Sequence, residues 1–121
     1  MQFRKKRTLA KYYEYKKTQE KEVCNFCIGE HKNKTHAFAY WKILKNLFPY
    51  DYIAEEHDLL IPKRHFRTES EMTHEEWKEL VFIKTTILPK HNSFDIILEN
   101  FEHMRSVEHY HLHLLKFKEK K

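Results

Sequence analysis

Residues 109–115 read His109-Tyr110-His111-Leu112-His113-Leu114-Leu115, and this stretch decides the fold. Side chains of a β-strand alternate between its two faces, so the three histidines share one face and Tyr110, Leu112 and Leu114 share the other. The second face is apolar and predicts a strand packed on a core. A single histidine on the first face would indicate only a partly exposed sheet. Three imidazoles at strict alternation indicate a surface that binds phosphate or a metal ion.

The patterns on the N-terminal side of this stretch predict further strands and two helices in one domain. Their order favours an antiparallel sheet with helices packed on it, which is an α+β fold. The predicted helices are residues 8–23 and 73–88, and a tight turn is predicted at 24–27. The predicted strands are residues 37–44, 57–62, 94–98 and 107–117.

The helix predicted at 73–88 has the clearest signals in the chain. Thr73 and Glu76 have the spacing of a capping box at its start. Pro89 is expected to end it, since proline does not continue a helix. Its core-facing side chains are expected to be those of Trp77, Leu80, Val81, Ile87 and Leu88.

The composition is that of a folded single domain. The chain has 121 residues, of which 40% are hydrophobic and 15% aromatic, so it can bury a core without disulfides. It has no run of about 18 apolar residues that would span a membrane and no recognisable signal peptide. Two cysteines do not make the disulfide framework of a secreted protein. We therefore expect a cytoplasmic protein that does not act at a membrane.

The positive charge is concentrated at the N-terminus. Residues 1–23 hold eight basic and three acidic side chains, which equals the net charge of +5 for the whole chain. We call this segment the basic arm and expect a solvated helix, followed by one domain at 24–117 and a basic tail at 118–121. The alternative is that the arm binds a polyanion such as a nucleic acid. Three side chains offer stacking surfaces for bases, Tyr12, Tyr13 and Tyr15, and three lie on one helical face that suits packing, Leu9, Tyr12 and Tyr13.

With its alternating histidines, the chain resembles the histidine triad (HIT) superfamily of nucleotide hydrolases and transferases, over residues 24 to 117. All seven positions of 109–115 fit the family signature. Residues 59–65 resemble the family strand that ends in Pro-Lys-x-His, and His57 matches a second recurring histidine. Residues 46–50 resemble the Asn-x-aromatic-Pro-Tyr of the branch near dinucleoside polyphosphate phosphorylases, and Ser106 precedes the triad as in the family. The resemblance implies an antiparallel sheet of about five strands with a long helix packed on it, beside the N-terminal basic helix.

The same resemblance implies an activity and its residues. His111 would be the nucleophile that forms a nucleotidyl-phosphohistidine, from which water releases a nucleoside monophosphate. The substrate would be a dinucleoside polyphosphate or a nucleoside phosphoramidate, since the uridylyltransferases of the superfamily carry glutamine in place of His113. A homodimer is also implied. The residues implied to contact phosphate are His113, Ser106 and His57, and those implied to contact the nucleotide are Asn46 and Asn100.

One segment departs from the family pattern. The family has a glycine-containing loop before the triad, whereas residues 99–105 contain no glycine, and Arg105 stands in place of the usual glutamine. Arginine is itself a good phosphate ligand. Two alternatives to a hydrolase therefore stay open. They are a non-catalytic nucleotide-binding module and a nucleic-acid end-processing protein that uses the basic arm.

The cysteines and two of the histidines are candidate ligands of a metal ion. Cys24 and Cys27 form a Cys-x-x-Cys pair, which alone fits a reduced turn or a disulfide as well as a metal. Branches of the HIT superfamily combine such a pair with the Pro-Lys-x-His histidine and the first triad histidine to bind structural zinc. Here these histidines are His65 and His109, and His31 or His36 is an alternative to His65. Two thiolates and two imidazoles suit tetrahedral zinc.

Overall fold

The structure is a computed structural model that describes residues 2–18, 24–27, 31–91, 94–105 and 107–119. Within these ranges, five strands form one antiparallel sheet in the order β1-β2-β3-β5-β4, and the predicted α+β class is confirmed. The strands are β1 (Lys34–Ala37), β2 (Trp41–Lys45), β3 (Ala54–Pro62), β4 (Ile96–Leu98) and β5 (Leu112–Phe117). The α-helices are α1 (Lys6–Thr18), α2 (His74–Phe82) and α3 (Leu88–His91), and a π-helical turn (Ile83–Ile87) joins α2 to α3.

The two faces of the sheet have different roles. One face packs against the long helix, and its buried cluster consists of Trp41, Ile43, Leu60, Phe66, Leu80, Ile83, Leu88, Tyr110, Leu112 and Leu114. The predicted alternation is therefore confirmed, since the apolar members of 109–115 enter this core. The histidines lie on the opposite face, where Phe26 packs on a smaller cluster of Leu44, Leu59 and Ile61. The site forms on this second face.

The strand predicted at 57–62 begins earlier, at Ala54, and the strand predicted at 94–98 begins later, at Ile96. The other two strand predictions need a larger correction. The strand predicted at 107–117 begins only at Leu112, because the backbone N–H of Tyr110 donates to the carbonyl of Phe66, beyond the end of β3, at 2.8 Å. The single strand predicted at 37–44 is instead a hairpin of β1 and β2, closed by Phe38 N–H donating to Trp41 at 2.8 Å. The turn contains no glycine or proline, so the sequence holds no signal for it.

The long helix runs beyond its predicted end. Thr73 and Glu76 form the expected capping box, but helical structure continues to His91. Pro89 is tolerated because it lies in the first turn of α3, directly after the π-helical turn, where a missing N–H costs little.

The predicted core face of this helix is wrong in part. Leu80 and Leu88 are buried, but Trp77 is 50% exposed and Val81 is 37% exposed. The helix instead buries the carboxylate of Glu76, which accepts two hydrogen bonds from Arg64 at 3.1 and 2.8 Å. This rotates the apolar side of the helix away from Trp77.

Helix α1 begins two residues earlier than predicted, and the predicted residues 19–23 lie outside the described residues. Asp51 caps its first turn, since its carboxylate accepts from the Lys5 N–H at 2.8 Å and from the Thr8 hydroxyl. The expected packing face is also shifted, because Tyr13 is 54% exposed whereas Tyr12 and Tyr15 are half-buried. No helix among the described residues is long and apolar enough to span a bilayer.

Candidate active site

The histidine face of the sheet opens into a cavity of about 820 Å³, a size typical of small-molecule sites. Strand β5 and the residues just before it supply one wall, and the loop after β2 supplies another. Most of the predicted site residues line this cavity, namely His111, His113, Asn46, Asn100, His65, His109 and Cys24. Two predicted phosphate contacts are not among them. Ser106 lies outside the described residues, and His57 does not line the cavity but is hydrogen-bonded to His113.

His111 is held in one tautomer. Its Nδ1 atom lies 2.8 Å from the carbonyl oxygen of His109, so Nδ1 carries the proton and donates it. The Nε2 atom therefore keeps its lone pair. Burial lowers the pKa of the His111 imidazole, and this effect exceeds that of the hydrogen bond to His109, which raises it. The edge of the Phe26 ring packs beside the imidazole, with ring centroids 5.4 Å apart. The result is a buried, oriented imidazole with a lone pair on Nε2.

His57 and His113 form a hydrogen-bonded pair. The Tyr50 N–H donates to Nδ1 of His57 at 2.9 Å, so the proton of this imidazole resides on Nε2. That Nε2 lies 2.8 Å from Nδ1 of His113 and donates to it, which places the proton of His113 on its own Nε2. This last atom lies 3.5 Å from the amide nitrogen of Asn100. His113 thus presents an N–H donor to the cavity.

Both imidazoles of this pair are neutral. Burial lowers the pKa of His57 to about 3, and the positive charge of Arg4 acts in the same direction. Burial also lowers the pKa of His113, with smaller contributions from His111, His57 and Arg4. A neutral donor of fixed direction suits a phosphoryl oxygen on which charge develops during reaction.

Asn46 has a structural task besides its place in the cavity wall. Its Oδ1 accepts from the Phe48 N–H at 2.9 Å, and its Nδ2 lies 3.3 Å from Nε2 and 3.4 Å from Nδ1 of His57. It thereby holds the loop between β2 and β3 against the histidine pair. The predicted ribose contact therefore competes with this internal hydrogen bond.

The glycine-free segment 99–105 has its acidic groups engaged elsewhere. Glu99 accepts from the Tyr110 hydroxyl at 2.5 Å, and Glu102 pairs with Arg67 at 2.8 Å. Arg105 is half-buried, and its positive charge is one cause of the lowered pKa of His111. Its Nε atom is buried and has no hydrogen-bond partner among the described residues.

Four side chains form a candidate metal centre. The ligand atoms of Cys24, Cys27, His65 and His109 all lie within 4.8 Å of one another. The Nδ1 atom of His109 is 3.3 Å from each sulfur, and that of His65 is 3.2 Å from the Cys27 sulfur. A tetrahedral zinc ion, bound at about 2.3 Å by sulfur and about 2.0 Å by nitrogen, holds its ligand atoms roughly 3.5 Å apart. The residues present therefore fit a closed, structural zinc site.

The surroundings of this centre support the fit. Nε2 of His109 donates to the Pro62 carbonyl at 2.8 Å, which leaves Nδ1 unprotonated toward the thiols. Desolvation, together with Cys24, raises the pKa of the Cys27 thiol to about 11, which a bound cation would reverse. The predicted alternative ligands lie elsewhere, since His31 contacts the Asn25 carbonyl at 2.6 Å and His36 stacks on Phe38.

Sequence reasoning missed two parts of the site. Tyr50 orients His57 through its backbone, and its ring stacks on that of His113 with centroids 5.2 Å apart. The basic arm also reaches the cavity, which is lined by Arg4, Tyr12, Tyr15 and Lys16. In the sequence, the role of Tyr50 is indicated only by the proline–tyrosine pair at 49–50, and the contact of the arm with the cavity only by its tyrosines.

Comparison with known proteins shows the same fold. No family model and no curated protein sequence matches the chain. A histidine triad protein from Clostridium difficile is 23% identical with a TM-score of 0.60, over 85% of this chain and 96% of that one. A HIT family hydrolase from Legionella pneumophila is 21% identical with a TM-score of 0.61, over 80% and 95%. The Plasmodium falciparum diadenosine triphosphate hydrolase is 20% identical with a TM-score of 0.52, over 98% and 82%.

Proposed function

We propose that this chain, which has the fold of the histidine triad superfamily, is a nucleotide hydrolase that works through a covalent intermediate on His111. One observation carries the proposal. The His109 carbonyl holds the proton on Nδ1 of His111, so the Nε2 lone pair is available in a cavity large enough for a nucleotide. Two of the similar structures are named as hydrolases.

In the first half-reaction, Nε2 of His111 attacks the α-phosphorus of the substrate. The N–P bond forms as the bond from phosphorus to the leaving group breaks, and the leaving group departs with that electron pair. The proton on Nδ1 of His111 stays hydrogen-bonded to the His109 carbonyl, which stabilises the imidazolium as it forms. The Nε2–H of His113 is placed to donate to a phosphoryl oxygen.

Water completes the cycle in the second half-reaction. Its oxygen bonds to phosphorus and one of its protons passes to solvent, while the N–P electron pair returns to Nε2 of His111. The products are a nucleoside monophosphate and the regenerated neutral imidazole. Splitting one displacement into two steps lowers each barrier.

Cys24, Cys27, His65 and His109 would hold structural zinc. A bound zinc would stiffen the residue whose carbonyl orients His111. No chemical step passes through this centre, because all four protein ligands close it to substrate.

The test compares wild type, His111→Ala and His74→Ala on diadenosine tetraphosphate and on adenosine phosphoramidate. His74 is an exposed histidine outside the cavity, so it is the matched control. We expect AMP from wild type and from His74→Ala, and a loss of roughly a thousandfold or more in His111→Ala. Mass spectrometry of acid-quenched wild type should show a nucleotidyl adduct. Turnover that survives in folded His111→Ala would overturn the proposal.

A further inference from the structure

The basic arm is attached to the site by specific contacts. Nε of Arg4 donates to the Phe48 carbonyl at 2.7 Å, in the same loop that carries Asn46. The Tyr52 N–H donates to the Phe3 carbonyl at 2.9 Å, and Asp51 caps helix α1. Four hydrogen bonds, two of them to Asp51, therefore hold residues 3–8 beside the cavity.

Arg4 is placed against the aromatic wall of the site. Its guanidinium carbon lies 4.3 Å from the ring centroid of Tyr12 and 4.8 Å from that of Tyr50. The Tyr50 ring in turn stacks on His113. Two cation–π contacts and the hydrogen bond to Phe48 together hold the guanidinium group in the wall of the cavity.

The charge of Arg4 is not neutralised within the described part of the chain. Arg4 forms no ion pair there. The carboxylate of Asp51 accepts hydrogen bonds at the start of α1, and that of Glu14 pairs with Lys17 at 3.4 Å. Glu108 also lines the cavity, but it lies 3.7 Å from Arg67. An arginine without an acidic partner, in the wall of a cavity, is suited to an anionic ligand.

We propose that Arg4 binds the phosphate of the leaving group, so that this enzyme selects nucleotides joined through a phosphoanhydride over those joined to an amine. Arg4 and Lys16 line the same cavity as His111. Asn46 contacts both His57 and Phe48, and the Phe48 carbonyl accepts the hydrogen bond from Arg4. The selection between substrates rests on the proposed hydrolase activity. The binding of a phosphate by Arg4 does not depend on that activity.

The chemistry of the two leaving groups explains the selection. When His111 displaces a polyphosphate, the P–O electron pair leaves on an oxygen whose negative charge needs a cation and no proton. When it displaces an amine, the nitrogen takes up a proton from solvent as the P–N bond breaks, and the neutral amine that leaves gains nothing from a guanidinium. Arg4 thus acts on the first reaction alone.

The kinetic test compares Arg4→Gln with Arg7→Gln. Arg7 is exposed in the first turn of α1, three residues after Arg4, and does not line the cavity, so both variants lose the same charge from the same arm. In Arg4→Gln we expect kcat/KM for diadenosine tetraphosphate to fall roughly ten- to a hundredfold, while that for adenosine phosphoramidate changes by less than about threefold. Arg7→Gln should change both by less than about threefold. An equal fall on both substrates, or an equal effect of Arg7→Gln, would overturn the inference.

The binding test separates this inference from the proposed activity. Isothermal titration of wild type and both variants with ADP and AMP needs no turnover, and the β-phosphate of ADP stands in for the leaving group. We expect wild type and Arg7→Gln to bind ADP more tightly than AMP, and Arg4→Gln to lose that preference. If the preference appears without hydrolysis, the proposed activity fails and the phosphate subsite stands. If wild type binds both nucleotides equally, the subsite is wrong whatever the activity.

Discussion

Nε2 of His57 lies 2.8 Å from Nδ1 of His113, although the two residues are 56 positions apart in the chain. The pairing follows from the sheet register, in which β3 and β5 are antiparallel neighbours and His57 lies opposite Leu115. Because the Tyr50 N–H occupies the other nitrogen of His57, the proton of each ring has one position. The backbone N–H of Tyr50 therefore determines which nitrogen of His113 carries the proton that faces the cavity.

This relationship predicts different outcomes for two substitutions of His57. His57→Leu removes the donor to His113, and we expect kcat/KM to fall about a hundredfold, as for a misplaced catalytic group. His57→Gln offers an amide oxygen to the Tyr50 N–H and an amide N–H to His113, so it should retain most of the activity. Thermal unfolding of both variants would check that each is folded. Equal activity losses in Leu and Gln variants would show that the orientation of His113 does not depend on this hydrogen bond.

The same pair predicts how stability depends on pH. Burial keeps His57 neutral in the folded chain down to a pKa of about 3, whereas the ordinary pKa of histidine is 6.5. Between these values only the unfolded chain takes up the proton, so acidification favours unfolding. The stability that neutral His57 contributes is complete above pH 6.5 and is lost as the pH falls toward 3, by about 1.4 kcal/mol per pH unit.

Urea denaturation at pH 7, 6, 5 and 4 measures this slope. His57→Gln does not titrate, so between pH 6 and 4 the slope of its free energy of unfolding against pH should be smaller than the wild-type slope by about 1.4 kcal/mol per pH unit. His74→Ala is exposed and should retain the wild-type slope. Parallel curves for wild type and His57→Gln would contradict the neutral, buried state of this imidazole.

The cysteine–histidine cluster predicts a stoichiometric metal. Protein purified without chelator should contain about one zinc per chain by elemental analysis. Cys27→Ser and His65→Ala should each lose most of it and unfold at a lower temperature, because the metal cross-links the 24–27 turn to the sheet. His36→Ala, which removes an exposed histidine outside the cluster, should keep it. Full zinc in His65→Ala would show that another residue completes the site.

The sequence revealed the histidine face because its signal is local. Period-two alternation over seven residues separates the imidazoles from Tyr110, Leu112 and Leu114, and the core confirms this division. Resemblance to the HIT superfamily then supplied His57, His65 and the cysteines, which share no local pattern with 109–115. Their proximity depends on strand register and on the turn at 24–27, and neither can be derived from spacing alone.

The position of the basic arm on the cavity cannot be predicted from its local sequence. A run of basic residues predicts a solvated helix, and Lys6, Arg7 and Lys11 are indeed exposed. Arg4 differs from them only because Phe48 and Asp51, more than 40 residues away, position the arm on the cavity. Trp77 is exposed because the hydrogen bonds from Arg64 place Glu76, and not Trp77, on the side of the helix that faces the core. In both cases a long-range polar contact overrides a local pattern.

The contact between Arg64 and the buried carboxylate of Glu76 is expected to stabilise the fold. Glu76 is 3% exposed, and besides Arg64 its carboxylate accepts from the Thr73 N–H at 2.8 Å. Glu76→Gln presents an amide N–H to these donors, and we expect the free energy of unfolding to fall by about 2–3 kcal/mol. Glu102→Gln removes an ion pair with Arg67 in which both side chains are about half exposed, and it should cost less than about 1 kcal/mol. Urea denaturation of both variants at pH 7 measures the difference, and equal losses would show that burial adds nothing to the Glu76 contact.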